Sequence, residues 1–266
     1  MSALERPLEG LTVVVTRSEE SSAELIRLLE AAGATALAIP AIRHETVPHP
    51  AGLREALAGG APTHVVVTSP AAARHLSRAL EEEGIRLDAR ARVAAVGPAT
   101  TAALQAAGLP PRIVSGGKSG RDLARDLVGT GDVNRGSRVL LPRSDIALRD
   151  IEEVLSAAGA EVIPVVLYRT VTESAEKARP FLDLMERGTP PFAVTFTSPS
   201  TFRGFLEMTG EEGLRALAGG GMKCVSIGAT TTMAIRHEGL APAAEAAKPS
   251  AEALVEAVVS LREERA

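Results

Sequence analysis

The chain has 266 residues, a formal net charge of −4, 45% hydrophobic and 23% charged residues, and a single cysteine. One cysteine excludes an internal disulfide and a thiolate metal cluster, and an acidic balance with 2% aromatics and no Trp argues against nucleic acid, which needs basic patches and stacking platforms. No uncharged apolar run approaches bilayer length and no secretory signal is visible at the start, so a cytoplasmic location is expected.

In chain order, short β-branched runs alternate with helical patterns. The first strand, Val13-Val14-Val15, ends in Thr16-Arg17-Ser18, and a helix with Ala23, Ile26 and Leu29 on one face is closed by Gly33. A strand at 65–67 leads into Thr68-Ser69-Pro70, and one at 93–96 into Gly97-Pro98-Ala99-Thr100-Thr101. Ser119 opens a helix at Leu123, a strand at 139–141 ends in Arg143-Ser144, and a strand at 162–167 is followed by Tyr168. Thr195-Phe196 leads into Thr197-Ser198-Pro199-Ser200, Ser226-Ile227 into Gly228-Ala229-Thr230-Thr231-Thr232, and Ser250 opens a last helix at Leu254. Strands alternating with helices imply an α/β protein with parallel, doubly wound sheets.

The order of these blocks repeats. Val13 to Ser18 matches Val139 to Ser144, and Leu29 to Ala34 matches Leu155 to Ala160, both at an offset of 126 residues. Thr-Ser-Pro recurs at an offset of 129, and the Gly97 turn recurs at Gly228, an offset of 131. Four blocks in one order indicate an internal duplication, and copies this long suit a bilobal protein better than a solenoid.

In such sheets ligands collect beyond the carboxyl ends of the strands, where the repeated motifs fall. Ser69 and Ser198 are placed to cap helices, with Pro70 and Pro199 in the first turn. At Gly97 and Gly228 free amides and the helix dipole favour an anion, and Ser119 and Ser250 form a third cap pair. If the halves face one another, these ends converge on one cleft. Two readings therefore stand for Thr68, Ser69, Thr100, Thr101, Ser119, Ser144, Thr197, Ser198, Ser200, Thr230 and Thr231: capping alone, or contact with an anionic ligand. Arg17 and Arg143 occupy equivalent strand ends, where each guanidinium either meets a ligand carboxylate bidentately or pairs with an acid such as Glu20 or Asp145.

Gly117-Lys118-Ser119 is similar to the tail of a phosphate-binding loop, but Arg112 stands where that motif needs glycine, so the motif is rejected. His44, His49, His64, His75 and His237 show neither metal-ligand spacing nor an acidic partner pattern, and no metal is expected. Cys224, Phe192, Phe196, Phe202 and Phe205 read as core, and Glu81-Glu82-Glu83 as a solvated helix end. Tyr168 is the only tyrosine; its phenol can donate a hydrogen bond, although a pKa near ~10 makes it a weak acid at neutral pH. The competing reading is a half-buried aromatic in a connecting strand.

Taken together, the Thr16-Arg17 start with its Pro142-Arg143 counterpart, the two Thr-Ser-Pro turns, the Gly97 and Gly228 turns and the lone Tyr168 resemble the uroporphyrinogen-III synthase family over essentially the full chain. Ala71 departs from that pattern, since relatives often carry Arg after Ser-Pro. The resemblance implies two flavodoxin-like domains with exchanged copies, one from residues 1–38 and 174–266 and one from 45–167, joined by linker strands at 39–44 and 168–173. A simple tandem cut near Asn134 fits the periodicity equally well, and only the likeness chooses between them.

For function, the resemblance implies cyclisation of hydroxymethylbilane, a linear tetrapyrrole with eight carboxylates, to uroporphyrinogen III, with inversion of ring D and loss of water. It implies no cofactor, and a monomer is expected. Tyr168 would hydrogen-bond the leaving hydroxyl while Ser69, Thr100, Ser198 and Thr230, with neighbouring amides, grip carboxylates. The alternative is a non-catalytic bilobal sensor closing on a small anion. A phosphosugar or nucleotide enzyme is weakened by the failed phosphate loop and by the absence of a Gly-x-Gly-x-x-Gly turn.

Overall fold

The computed structural model describes residues 6–116 and 119–263; Gly117 and Lys118 of the rejected loop motif lie outside them. The chain runs β1 (Thr12–Val15), α1 (Glu19–Ala31), β2 (Thr35–Ala38), β3 (Ile42–Thr46), α2 (Ala51–Ala58), β4 (His64–Val67), α3 (Pro70–Glu82), β5 (Arg92–Val96), α4 (Gly97–Ala106), β6 (Ile113–Ser115) and α5 (Gly120–Gly129). It continues through β7 (Arg138–Ser144), α6 (Asp150–Ala157), β8 (Glu161–Thr172), α7 (Arg179–Glu186), β9 (Ala193–Phe196), α8 (Pro199–Ala218), β10 (Lys223–Ser226), α9 (Ala229–His237), β11 (Ala244–Glu245) and α10 (Ala251–Glu263).

The chain divides into two compact units, Met1–Arg43 with Val171–Ala266, and His44–Thr170. The first holds a sheet of order β11-β10-β9-β1-β2 with parallel pairings, the flavodoxin-like order. The other sheet has the order β3-β8-β7-β4-β5-β6, parallel from β8 to β6. Each sheet combines strands from distant parts of the chain, and the divide does not fall near Asn134.

Both sheets are covered on two faces, and the period-2 alternation of the strands sorts the core residues. In the first unit Val13 and Val15 pack with Leu25 and Leu29 of α1 and Leu254 and Val258 of α10, while Val14 packs with Phe181, Phe196, Phe202 and Phe205. Those four rings meet edge to face, with Phe196 centred 5.2 Å from Phe202 and 5.5 Å from Phe205. In the second unit Val65 and Val67 pack with Leu76 of α3 and Leu104 of α4, and Val66 with Leu123 and Leu127 of α5. On α1 the buried stripe is Ser22, Leu25 and Leu29 rather than Ala23, Ile26 and Leu29. Both spacings are helical; which one turns inward is set by β1, not by local periodicity. The helix ends at Gly33 because φ is +97° there and a Cβ would lie 2.9 Å from the Arg6 Cβ and 3.0 Å from the Glu9 nitrogen.

Cys224 is 4% exposed on β10, and burial pushes its thiol up to about 12. A buried thiol kept protonated is neither nucleophile nor ligand. Cys224 should therefore resist a thiol-specific reagent at neutral pH in the native protein and react fully once the chain is unfolded. Prompt native labelling would contradict the packing of β10.

Two expectations need correction. β7 and β8 are longer than 139–141 and 162–167, because parallel pairing continues from Arg138 opposite Glu161 to Ser144 opposite Tyr168, so Arg143, Ser144 and Tyr168 lie within strands. Glu81 and Glu82 are exposed, but the Glu83 side chain is 5% exposed, bonded by His49 Nδ1 at 2.7 Å and by Arg54. The His49 bond first, then Arg54, holds its carboxyl below the usual range. His49 thus has an acidic partner that spacing did not reveal, because the pair bridges residues 34 apart.

Candidate functional site

Parallel strands place all their carboxyl ends on one edge, so each unit gathers its strand-to-helix turns along a line. In the second unit this edge carries the starts of α3, α4 and α5 and the end of β7. Ser69 caps α3: its Oγ accepts from the Ala72 amide at 3.0 Å, with Pro70 in the first turn. Gly97 opens α4 with φ +69°, a conformation that favours glycine.

The same hydroxyl of Ser69 lies 3.3 Å from the Tyr168 phenol oxygen. Tyr168 reaches it through a bulge. The register of β7 and β8 pairs Arg143 with Val166 and then Ser144 with Tyr168, so Leu167 is skipped. Strict alternation would send Leu167 and Tyr168 to opposite faces; instead both join one core cluster with Val65 and Leu76. The bulge is held by the Asp145 amide donating to the Tyr168 carbonyl at 3.2 Å and the Thr170 amide donating to Asp145 Oδ1 at 3.1 Å.

Tyr168 is 6% exposed and therefore buried rather than half-buried. Its ring stacks on His75 at 4.5 Å with 12° between planes, and His44 meets it edge-on at 5.1 Å and 85°. His75 Nδ1 is 3.3 Å from Thr46 Oγ1. Burial raises the phenol's pKa above the ordinary tyrosine value, opposed by hydrogen bonds from Ser69 and Ser144 and by the Arg74 charge. The neutral form is thus favoured in the folded state, and its contribution to stability is complete below about pH 10 and lost as pH rises through the folded pKa. Because the chain has one tyrosine and no Trp, phenolate absorbance reports this residue alone. Its alkaline titration should lie above that of the unfolded chain, and a coincident or lower midpoint would contradict the burial.

The other candidate residues separate clearly. Thr100 and Thr231 are each 2% exposed, in the first turns of α4 and α9. Thr101 donates to the Gly97 carbonyl at 2.9 Å. Ser119 forms a capping box with Asp122, whose carboxylate accepts from the Ser119 amide at 3.1 Å. An acid of the chain itself occupies that helix start, where a second carboxylate would be repelled. Arg143 is paired with Glu152, not Asp145, and donates to the Ala147 and Ser144 carbonyls, so its guanidinium serves the β7–α6 connection. Thr68 is half-buried at the end of β4, and a Cβ on Gly120 would lie 3.1 Å from its methyl. Ser144 is buried beside the phenol.

In the first unit the edge carries Arg17, half-buried after β1, and the starts of α8, α9 and α10. Ser198 caps α8: it accepts from the Thr201 amide at 3.1 Å, and its Oγ lies 2.9 Å from that of Ser200. The Thr197 amide donates to Thr201 Oγ1 at 3.2 Å. Gly228 is extended with φ 166°, so its turn does not require glycine as the Gly97 turn does. Thr230 is exposed at the start of α9. The hydroxyl of Thr232 is instead 2.6 Å from Ser226 Oγ and bonds Glu245, and serves the sheet.

Sequence reasoning missed His44, Thr46 and His75. The signal for His75 is its place on the apolar stripe of α3, between Ala72 and Ala79 at helical spacing; nothing local marks His44. A concavity of about 520 Å³ is lined by Leu80, Ile85 and Leu109 at the carboxyl ends of α3 and α4, the opposite end from Ser69 and Gly97. It takes no part in this edge.

A family model described as uroporphyrinogen-III synthase HemD matches residues 23–256. The chain belongs to the uroporphyrinogen-III synthase family. A protein of Methanothermobacter thermautotrophicus assigned to the same synthase is 32% identical over 200 residues, covering 74% of this chain and 78% of the relative. The uroporphyrinogen-III synthase of Chlorobaculum parvum is 26% identical over 237 residues, covering 86% and 90%. A crystal structure of a mutant uroporphyrinogen III synthase from the extremely thermophilic bacterium Thermus thermophilus covers 97% of this chain and all of that one, with a TM-score of 0.63 and 22% identity. That structure supports the shared fold, with two parallel-sheet domains. Among the described residues no helix is long and apolar enough to cross a membrane.

Proposed function

We propose that the protein is an enzyme of tetrapyrrole biosynthesis that cyclises hydroxymethylbilane to uroporphyrinogen III, a carbon–oxygen lyase reaction losing water. The observation that carries this reading is a buried, hydrogen-bonded phenol at the carboxyl edge of a sheet, in a chain of this family. Electron-rich pyrroles expel the hydroxyl readily, so the enzyme's task is to assist departure and to orient ring D for attack through its substituted carbon. That calls for positioned donors more than for a strong acid. Tyr168 donates to the departing hydroxyl; a phenol is protonated at neutral pH, and burial raises its pKa further. Ser69, Ser198 and Thr230, with the amides of their helix starts, hold carboxylates. Arg143 is withdrawn from that role by its pairing with Glu152. The enzyme works without a cofactor, as a cytoplasmic monomer.

Freshly made hydroxymethylbilane incubated with the protein should yield the III isomer, whereas the uncatalysed reaction gives the I isomer. A product of the I isomer alone would leave an anion-binding sensor in place of an enzyme. Product binding should weaken with salt and about 10-fold on Thr230→Val, as loss of one hydrogen bond to a charged group does. Indifference to both would remove the helix starts from the site.

A further inference from the structure

We propose that His75 is a positioning residue for Tyr168, holding the phenol in one orientation by stacking on its ring while Ser69 fixes its hydroxyl. Both contacts come from α3: Ser69 at its cap and His75 two turns on, so one helix grips the tyrosine at its polar tip and on its face. The imidazole is itself restrained. It is 8% exposed, and Thr46 Oγ1 on β3 lies 3.3 Å from Nδ1, which sets the plane of the ring and with it the plane of the stack. His44, also on β3, closes the remaining side edge-on, 6.3 Å from His75 and nearly perpendicular to it. A leucine would fill this space as well; a tethered planar ring adds a defined orientation. Phenol orientation matters because a displaced donor loses most of its effect on a departing group.

The consequence for turnover rests on the proposed role of Tyr168, whereas the clamp itself is measurable without any reaction. As the chain has one tyrosine and no Trp, its intrinsic emission comes from Tyr168 alone, and emission anisotropy reads the mobility of that ring. His75→Ala should lower the anisotropy and reduce kcat about 10-fold with KM little changed, and His75→Phe, which restores a stacking face, should recover both. In a Tyr168→Phe background, His75→Ala should cause no further loss of rate. Should His75→Ala fail to fold, His75→Leu replaces it in every arm. Unchanged anisotropy, or rate losses that multiply independently of Tyr168, would overturn the proposal. If Tyr168→Phe alone turns over at the full rate, the role of the phenol in the reaction falls, and the clamp is then decided by the anisotropy.

Discussion

Replacing Tyr168 with phenylalanine should lower the rate of hydroxymethylbilane cyclisation about 10- to 100-fold while leaving the fold in place, the loss expected when one donor to a leaving group is removed. The substitution deletes only an oxygen. The ring volume, the stack on His75 and the edge contact with His44 are all retained, and Ser69 keeps the Ala72 amide as its donor. Stability should therefore change by no more than about 1 kcal/mol, the net worth of a hydrogen bond. Rate and stability part company here, which is what distinguishes a chemical role from a packing role. The measurement is single-turnover cyclisation with isomer analysis, beside a denaturant midpoint. As the enzymatic route slows, the I isomer formed without catalysis should take a growing share of the product. Full-rate conversion to the III isomer would dismiss the phenol from the reaction. With the parent enzyme, the contribution of this donor should be flat through neutral pH and fall only above the ordinary tyrosine range, since burial raises its pKa.

The second large effect concerns stability and comes from Gly204, in the second turn of α8. A glycine-to-alanine change inside a helix ordinarily gains up to about 1 kcal/mol from propensity. At Gly204 the new Cβ would lie 2.4 Å from the Ala41 carbonyl oxygen and 3.2 Å from its carbon. Main chain cannot step aside as a flexible side chain does, and that oxygen also accepts from the Glu173 amide at 3.1 Å. Overpacking of this kind costs about 1–3 kcal/mol, and the loss of a buried acceptor's partner adds about 1 more. The steric cost exceeds the propensity gain, so Gly204→Ala should destabilise by about 2 kcal/mol, read as a lower denaturant midpoint at unchanged slope. A midpoint that rises would show that the β2–β3 connection yields to α8.

These two positions differ in how readable they were. Ser69 and Ser198 as caps, with proline behind each, follow from a hydroxyl meeting an amide three residues on, a purely local geometry. The alternation of apolar valines into two faces follows from the strand's period, and Cys224 as core follows from its apolar run. Gly204, by contrast, has no local signature, because the atom that excludes a side chain lies 163 residues away in sequence. The candidate site shows the same division. The sequence marks Thr100 and Ser119 as hydroxyls at helix starts; Thr100 is buried, and Asp122 already fills the start capped by Ser119. Arg143 at a strand end looks available until α6 folds back and brings Glu152 to it.

By itself, then, the sequence determined the strand-and-helix alternation, the capped turns at the carboxyl edges, and, through their order, the likeness to one family. Periodicity left open whether its halves form a tandem or share strands, since either arrangement completes both sheets. The tertiary structure decided that β1 pairs with β9, and β7 with β4, so that distant parts of the chain complete each sheet. It also decided where the lone tyrosine points. A strand's side chains alternate by rule, and only the register between β7 and β8, one residue out of step after Arg143, turns Tyr168 to the face where Ser69 and His75 await it.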